Sequence, residues 1–448
     1  MIVIIGLGTS GVYATRWITT LNRDEEITII ERHSYESYSP CGIPLILKKI
    51  DDFSKLKHPF PRTKRINVLI EHEAIGIDAE NKIIKVLDKE NKEIKEIKYD
   101  KLLFAAGADP LIPKIKNANE YMNNGIFVVK TLEDANSIKV YLQENNVKDV
   151  SVIGAGAIGL EIAHALKTLG FNVHVFEMLT QPFPNVLDPE VADIVKLELE
   201  KQGIILHLSS RVDEIIIDNG KINGVKSGDL KFESQAIILA TGVVPNTKIL
   251  NGIIKMERNF ILVNERMQTS NNSIYAAGDC VLINNYLNGS LMPVQLATTA
   301  AKQGIVAGIN MAGYDAIYKG ALGAFVSTIG KFEVAAVGIT ETKAKEKFEI
   351  ITARAKALDK PEYAGGEEIT LKIICEKNQG IILGAQAVGK NASSKINVLS
   401  LAIRKKATVF DLSALETAYC PEVSDLYDVI NMAADLALRK LNPKSYVF

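Results

Sequence analysis

The sequence predicts an α/β fold with two Rossmann-like nucleotide-binding domains and a C-terminal α+β domain. Three observations carry that prediction: a strand-turn-helix glycine signature that opens the chain, a second copy of it beginning at Gly154, and a change to alternating strands beyond Ala321. A length of 448 residues matches about three domains of ordinary size, each able to bury a core.

The first signature is an apolar strand, Met1 to Ile5, that runs into Gly6-Leu7-Gly8-Thr9-Ser10-Gly11 and a helical stretch from Val12 to Leu21. A second strand, Ile27 to Ile30, ends in Glu31 and Arg32. The first glycine permits the tight turn, the second lets backbone N–H groups approach a pyrophosphate, and the third lets helix pack on strand. Glu31 then accepts hydrogen bonds from a ribose. The second signature repeats the order: strand Asp149 to Ile153, Gly154-Ala155-Gly156-Ala157-Ile158-Gly159, a helix to about Leu169, and strand Asn172 to Phe176 ending in Glu177. Both acids stand at the spacing that ribose binding requires. Glu177 suits a free 2′-hydroxyl and repels a 2′-phosphate, and Met178 rather than an arginine follows it, which favours NADH over NADPH.

Leu102 to Phe104 read as a buried strand that breaks through Ala105-Ala106-Gly107 to Pro110; Ala236 to Ala240 break in the same way through Thr241-Gly242. Residues 111–240 therefore read as a second nucleotide-binding domain inserted into a discontinuous first one, 1–110 and 241–320. The returning part carries strand Ser273 to Ala277, then Gly278-Asp279, and a helical segment from about Gln295 to Met311. Residues 321–448 form the third domain, with strands Glu333 to Val337, Glu349 to Ala355, Ile369 to Cys375 and Ile381 to Val388. Its amphipathic helices span Ser394 to Arg404 and Asp425 to Lys440.

Composition excludes several classes. A net charge of −1 argues against a nucleic-acid partner. The four cysteines, Cys41, Cys280, Cys375 and Cys420, form no C-x-x-C pair and no metal-ligand spacing, which suits a reducing, cytoplasmic compartment and predicts no metal site. Met1 enters a core strand without a leader, and no run of about 18 apolar residues lacks charges, so no membrane contact is expected.

Along nearly its whole length the chain resembles the flavoprotein pyridine nucleotide-disulfide oxidoreductases, in the single-cysteine branch that contains coenzyme A-disulfide reductases and NADH oxidases. The resemblance rests on the first glycine motif with Glu31, Ser37-Tyr38-Ser39-Pro40-Cys41-Gly42-Ile43-Pro44, the two strand-to-glycine turns, Gly278-Asp279, Pro293 to Thr298 and Gly384-Ala385-Gln386-Ala387-Val388-Gly389. It implies FAD in the first domain, held by Gly6, Gly8, Thr9, Ser10, Gly11, Glu31 and Arg32, with Ser39 and Pro40 beside Cys41. Ala106, Gly107 and Gly278 complete the cradle, Asp279 bonds the ribityl or pyrophosphate region, and Ala297 and Thr298 approach the isoalloxazine. For the nicotinamide nucleotide it implies Gly154, Gly156, Ala157, Ile158, Gly159, Glu177 and Gly242. The third domain is implied to form a homodimer.

Cys41 opens the apolar helical run Gly42 to Leu47, where amide groups and the helix dipole stabilise a thiolate. No second cysteine lies within a turn or two, so its redox partner is something other than a neighbouring cysteine; the resemblance implies a bound small thiol such as coenzyme A, or an oxygen held as sulfenic acid. All six histidines lie at or before His207, so the C-terminal histidine acid of two-cysteine reductases is missing. Thr9 stands where peroxide-reducing relatives place a histidine, which disfavours peroxide chemistry. Glu416-Thr417-Ala418-Tyr419-Cys420-Pro421 resembles the segment that brings a tyrosine to the other subunit's flavin, and Tyr419 would protonate the departing thiolate. Tyr363 matches a second such stretch less cleanly. The sequence leaves Cys420 open between an intersubunit resolving thiol and a neighbour pointing elsewhere; Cys280 and Cys375 read as core. Ala157 replaces an aromatic that often shields the flavin, which predicts easier access for NADH. Arg16, Arg23, Arg62, Lys64 and Arg65 are the cations available for coenzyme A phosphates. The expected activity is NADH-dependent reduction of a small disulfide, foremost coenzyme A disulfide; reduction of oxygen, or of polysulfide through a persulfide on Cys41, are the competing reactions. A non-catalytic NADH sensor is the remaining alternative.

Overall fold

In the computed structural model, which describes residues 1–49, 52–61 and 63–441, each glycine signature sits at the head of its own parallel sheet. The chain divides into two compact units, the first made of Met1–Ile43, Asp52–Leu111 and Val243–Ala321. Its sheet runs Ile274–Ala276, Lys101–Phe104, Ile2–Ile5, Ile27–Ile30, Ile66–Leu69 in spatial order, every neighbouring pair parallel. Ile2–Ile5 and Ile27–Ile30 are buried along their whole length, the continuous apolar pattern of a sheet covered on both faces.

The first glycine-turn helix, Thr9–Leu21, begins three residues before the expected Val12, because Gly8 is extended (φ −71°, ψ −171°) and stands as its N-cap. It packs against the helix Ala297–Met311 at unusually close range. A Cβ built on Gly304 would lie 2.3 Å from the Ser10 carbonyl oxygen, and one on Gly308 would lie 2.6 Å from that of Ala14. Glycine inside a helix costs about 1 kcal/mol against alanine; here any larger residue would separate the two helices.

The second unit comprises Pro44–Asp51, Ile112–Gly242 and Leu322–Phe448. Its parallel sheet runs Ile126–Val128, Ala236–Leu239, Asp149–Ile153, Asn172–Phe176, Ile205–His207. The same unit holds an antiparallel sheet in the order Phe325–Ile329, Phe332–Gly338, Ile382–Gly389, Glu368–Glu376, Ile350–Leu358, with helices Ala392–Arg404 and Val429–Leu441. The last helix starts four residues later than Asp425, because the Asp428 carboxylate accepts the Ile430 N–H at 2.9 Å and so caps it at Val429.

A buried charge cluster lies in this unit. Lys372, on the strand Glu368–Glu376 and 1 % exposed, places Nζ 2.8 Å from Asp188, 2.5 Å from Glu190 and 2.7 Å from Glu341. Gln386 Nε2 donates to Asp188 at 2.7 Å, while the Asp188 N–H donates to Gln386 Oε1 at 2.8 Å. Burial works against the Lys372 charge, yet the three carboxylates hold it above the ordinary lysine value. Among the described residues, no helix is long and apolar enough to cross a membrane.

Candidate active site

All strands of the first sheet are parallel, so their C-terminal ends share one edge, and ligands bind such sheets at that edge. Ile5 leads into Gly6, Ile30 into Glu31, Phe104 toward Ala106 and Gly107, and Ala276 toward Gly278 and Asp279. Four sequence-distant segments are thereby brought together. Gly278 N–H donates to Gln303 at 2.6 Å and Ser10 Oγ donates to the Ala300 carbonyl at 3.1 Å, tying the Asp279 turn and the first glycine loop to the helix headed by exposed Ala297 and Thr298. Arg32 turns aside to Asp109 at 2.6 Å. In the second sheet the same logic aligns Gly154, Glu177 and Gly242.

The glycines of each loop divide by function. Gly6 and Gly154 have φ of +96° and +111°, and a Cβ there would strike the carbonyl oxygens of Ala105 and Ala240 at 2.4 and 2.3 Å. A Cβ on Gly11 or Gly159 would strike the loop's own Gly6 or Gly154 oxygen at 2.1 or 2.0 Å. By contrast, a Cβ on Gly8 or Gly156 meets no protein atom within 4 Å. Folding therefore does not require glycine at these two positions; a ligand pressed against the backbone does. Both helices above these loops have no side-chain cap and no acid in the first turn, as anion binding requires. The residues present fit the pyrophosphate of a dinucleotide at each loop.

The two acids also behave alike. Glu31 accepts the N–H groups of Leu7 and His33 at 2.8 and 2.9 Å, and Glu177 accepts those of Ala155 and Leu179, both at 2.9 Å. Each is 7 % exposed. These bonds hold the carboxylate at the strand end and leave lone pairs for a ribose.

Cys41 departs from expectation. It lies inside a single 3₁₀ turn, Pro40–Gly42, that precedes a five-residue helix, Ile43–Leu47. Pro40 fixes the turn's first φ, and Gly42 N–H donates to the Ser39 carbonyl at 3.0 Å. So short a helix supplies little dipole, and the thiol is set by its neighbours. Cys41 is exposed, as is Cys420. Cys280 and Cys375 are buried, with thiols pushed up by burial to about 12 and about 11, which makes both inert near neutral pH.

Arg16, Arg23, Lys64 and Arg65 line one cavity of about 480 Å³ between the first glycine-turn helix and residues 60, 61 and 63–66, together with Glu25, Thr15, Thr19 and Thr63. Arg65 is engaged by the Asp24 carboxylate at 3.1 Å. Arg62 lies outside the described residues. In the second unit Tyr419 and Tyr363 meet through their hydroxyls, a contact that raises the Tyr419 phenol above its ordinary value. They are 47 % and 80 % exposed. The Cys420 N–H donates to Ser424 Oγ at 3.2 Å.

The pyridine nucleotide-disulphide oxidoreductase model matches residues 1–304, and the dimerisation-domain model of the same group matches residues 325–428. The chain belongs to the pyridine nucleotide-disulphide oxidoreductases. It is 38 % identical over 451 residues to an NADH oxidase of Methanocaldococcus jannaschii, covering 99 % of each chain. It is 32 % identical over 447 residues to a CoA-dependent NAD(P)H sulfur oxidoreductase of Pyrococcus furiosus, covering 97 % of this chain and 98 % of the other. The solved structure of an NAD-dependent persulfide reductase from A. fulgidus superposes with a TM-score of 0.93 at 32 % identity, over 98 % of this chain and 83 % of that one. As a member of this oxidoreductase family the chain is an enzyme of FAD and a pyridine nucleotide.

Sequence reading misses two polar residues of this oxidoreductase. Glu161, on the second glycine-turn helix, accepts from Ser327 Oγ at 2.7 Å, and burial raises its carboxyl above the ordinary value. A charge set between buried Leu160 and Ile162 was the available signal. The other is His58, whose ring nitrogen Nε2 shares a 2.7 Å hydrogen bond with Ser39 Oγ. Strand pairing alone brings it there.

Proposed function

We propose that the protein uses NADH to reduce a small disulfide, foremost coenzyme A disulfide, through Cys41. The observation that carries this reading is the exposed Cys41 thiol, with no second cysteine in its turn, in the same unit as a cavity lined by four cations. Cations that face a cavity suit a substrate with several phosphates, whereas oxygen needs none.

FAD would rest on Gly6, Gly8 and Gly11 with Glu31 at its ribose, and the nicotinamide nucleotide on Gly154, Gly156 and Gly159 with Glu177. Bound together, they supply transfer of two electrons from the nicotinamide to the sulfur. Cys41 as thiolate attacks one sulfur of the substrate, breaks the S–S bond and releases one small thiolate, which takes up a proton. Reduction of the mixed disulfide with a second proton releases the other thiol, so that NADH, one proton and one disulfide become NAD⁺ and two thiols. Tyr419 of a second copy is assigned the donor of the second proton, to the thiol that leaves the Cys41 mixed disulfide, with Tyr363 bonded to it, which requires a homodimer through residues 321–448. In this reading 1–110 with 241–320 is the FAD domain, 111–240 the NADH domain, and the reducing cytoplasm the place of action. The same steps on a persulfide release sulfide, the class of reaction named for the A. fulgidus relative.

The test is anaerobic NADH consumption by the FAD-loaded enzyme with coenzyme A disulfide, glutathione disulfide or polysulfide. Turnover fastest with coenzyme A disulfide and lost in Cys41→Ser supports the reading. Turnover confined to aerated buffer makes the protein an oxidase instead.

A further inference from the structure

We propose that His58, acting through the Ser39 hydroxyl, is the positioning residue that takes the proton from Cys41 and returns it to the departing thiolate. The inference rests on the proposed role of Cys41 as the sulfur that attacks the substrate.

The geometry begins with backbone. Residues Ser37–Tyr38 and Lys57–His58 form a short antiparallel pair in which Ser37 faces His58 and Tyr38 faces Lys57. Ser39 N–H extends the pairing by donating to the Leu56 carbonyl at 3.0 Å. Leu56 in turn packs under the cysteine turn, so closely that a Cβ on Gly42 would lie 2.4 Å from its Cδ2. The strand carrying His58 is thus built into the turn carrying Cys41. On this frame the His58 ring and Ser39 Oγ share their 2.7 Å bond, two residues from Cys41 and in the same turn.

The other five histidines are occupied elsewhere. His33 stacks on Tyr35 with centroids 5.1 Å apart, and His72 lies 3.5 Å from Asp88. His164 bridges Lys48 and Gln202 at 3.0 and 2.8 Å, and His174 and His207 bond each other at 3.0 Å. Position 9, in the first glycine turn, is threonine, and residues 208–448 contain no histidine. His58 is exposed, so it exchanges protons with solvent, while half-buried Ser39 is the cap residue of the turn that carries Cys41. A neutral imidazole accepts the Ser39 hydroxyl proton as Ser39 accepts the thiol proton. The products are thiolate and imidazolium, and the imidazolium later protonates the first thiolate released.

Charged and titratable groups around His58 come from each element packed there. Lys57 lies 5.1 Å over the Tyr35 ring, Glu36 accepts the Phe60 N–H, and Tyr38 sits on the paired strand. Lys55 and Asp52 precede it in the adjoining 3₁₀ turn.

The experiment measures alkylation of Cys41 by iodoacetamide against pH, in FAD-loaded protein carrying Cys420→Ser so that one exposed thiol reacts. In His58→Gln, which keeps a hydrogen-bonding side chain but cannot titrate, the rate at neutral pH falls about tenfold and the profile moves up by about one pH unit. Ser39→Ala gives the same shift. A His58→Gln profile that superimposes on the parent overturns the proposal, as does a shift in His58→Gln with none in Ser39→Ala. As a second measurement in the parent protein, NMR titration of the His58 ring before and after alkylation gives two different midpoints; identical midpoints also overturn it. None of these readings requires turnover, so a failed relay is distinguishable from a wrong assignment of Cys41, which only the Cys41→Ser assay reports.

Discussion

The two glycine loops share nearly every backbone detail and differ in what lies beside them. Gly6 matches Gly154 in its positive φ and carbonyl contact, Gly8 matches Gly156 in its bare backbone, and Glu31 matches Glu177 in accepting two loop N–H groups. Beyond the acid they part. Glu31 is followed by Arg32 held by Asp109, then by an aromatic run and Cys41. Glu177 is followed by Met178 and Leu179, 66 % and 43 % exposed. On the proposed assignment, the same loop geometry serves a cofactor that stays in the first surroundings and a nucleotide that comes and goes in the second.

The comparison breaks most severely at Cys41, which has no counterpart in the second loop. Cys41→Ser should lower disulfide turnover on the order of 10⁴-fold while FAD absorbance and affinity stay intact. Full turnover in that variant removes the first loop's special status.

The two units also differ in how they are braced, the first by glycine-mediated helix contact and the second by the Lys372 cluster. Lys372→Met strands Asp188 without its cation and should cost about 3–5 kcal/mol in chemical unfolding of the second unit. The pH dependence has a defined sign. Hydrogen bonds from Lys345 and Lys372 hold Glu341 below 4.5, so its contribution is present above pH 4.5 and lost as pH falls further. Lys372 is held above 10.5, so its contribution is complete below pH 10.5 and lost as pH rises through its folded value. In Lys372→Met both limbs should flatten; unchanged limbs would remove the cluster from the account.

Smaller effects sharpen the loop comparison directly. Gly8→Ala and Gly156→Ala should leave melting temperature unchanged, since neither Cβ meets protein. Gly8→Ala should weaken FAD at least about tenfold with little change in the KM for NADH, and Gly156→Ala should do the reverse. Matching losses of stability would mean that both glycines serve the fold. Smallest is Glu177→Ala, expected to shrink the ratio of kcat/KM for NADH over NADPH about tenfold, equivalent to about 1.4 kcal/mol.

Both loops, their acids and the turns at Gly107, Gly242 and Gly278 were legible because each is local: steric demand at a few consecutive positions writes itself into glycine spacing. The strands Ile27–Ile30, Asp149–Ile153 and Asn172–Phe176 have the limits that their apolar runs suggest. The helical run read from Gly42 to Leu47 is present as the helix Ile43–Leu47; what the sequence did not show is the 3₁₀ turn Pro40–Gly42, entered through Pro40, that holds Cys41 ahead of it. The Lys372 cluster gave no signal at all, since a lysine within Glu368–Glu376 reads as an exposed strand position until Asp188, Glu190 and Glu341 converge on it.

By itself, then, the sequence determined where the two bare-backbone glycine turns stand, because such a turn depends on residues only a few positions apart. Tertiary structure alone decided which side chains share the surroundings of Cys41 and which cations share a cavity. Pairing of Ser37 with His58, and the meeting of Arg16 and Arg23 with Lys64 and Arg65, depend on strand register and helix docking, and no spacing along one chain encodes either.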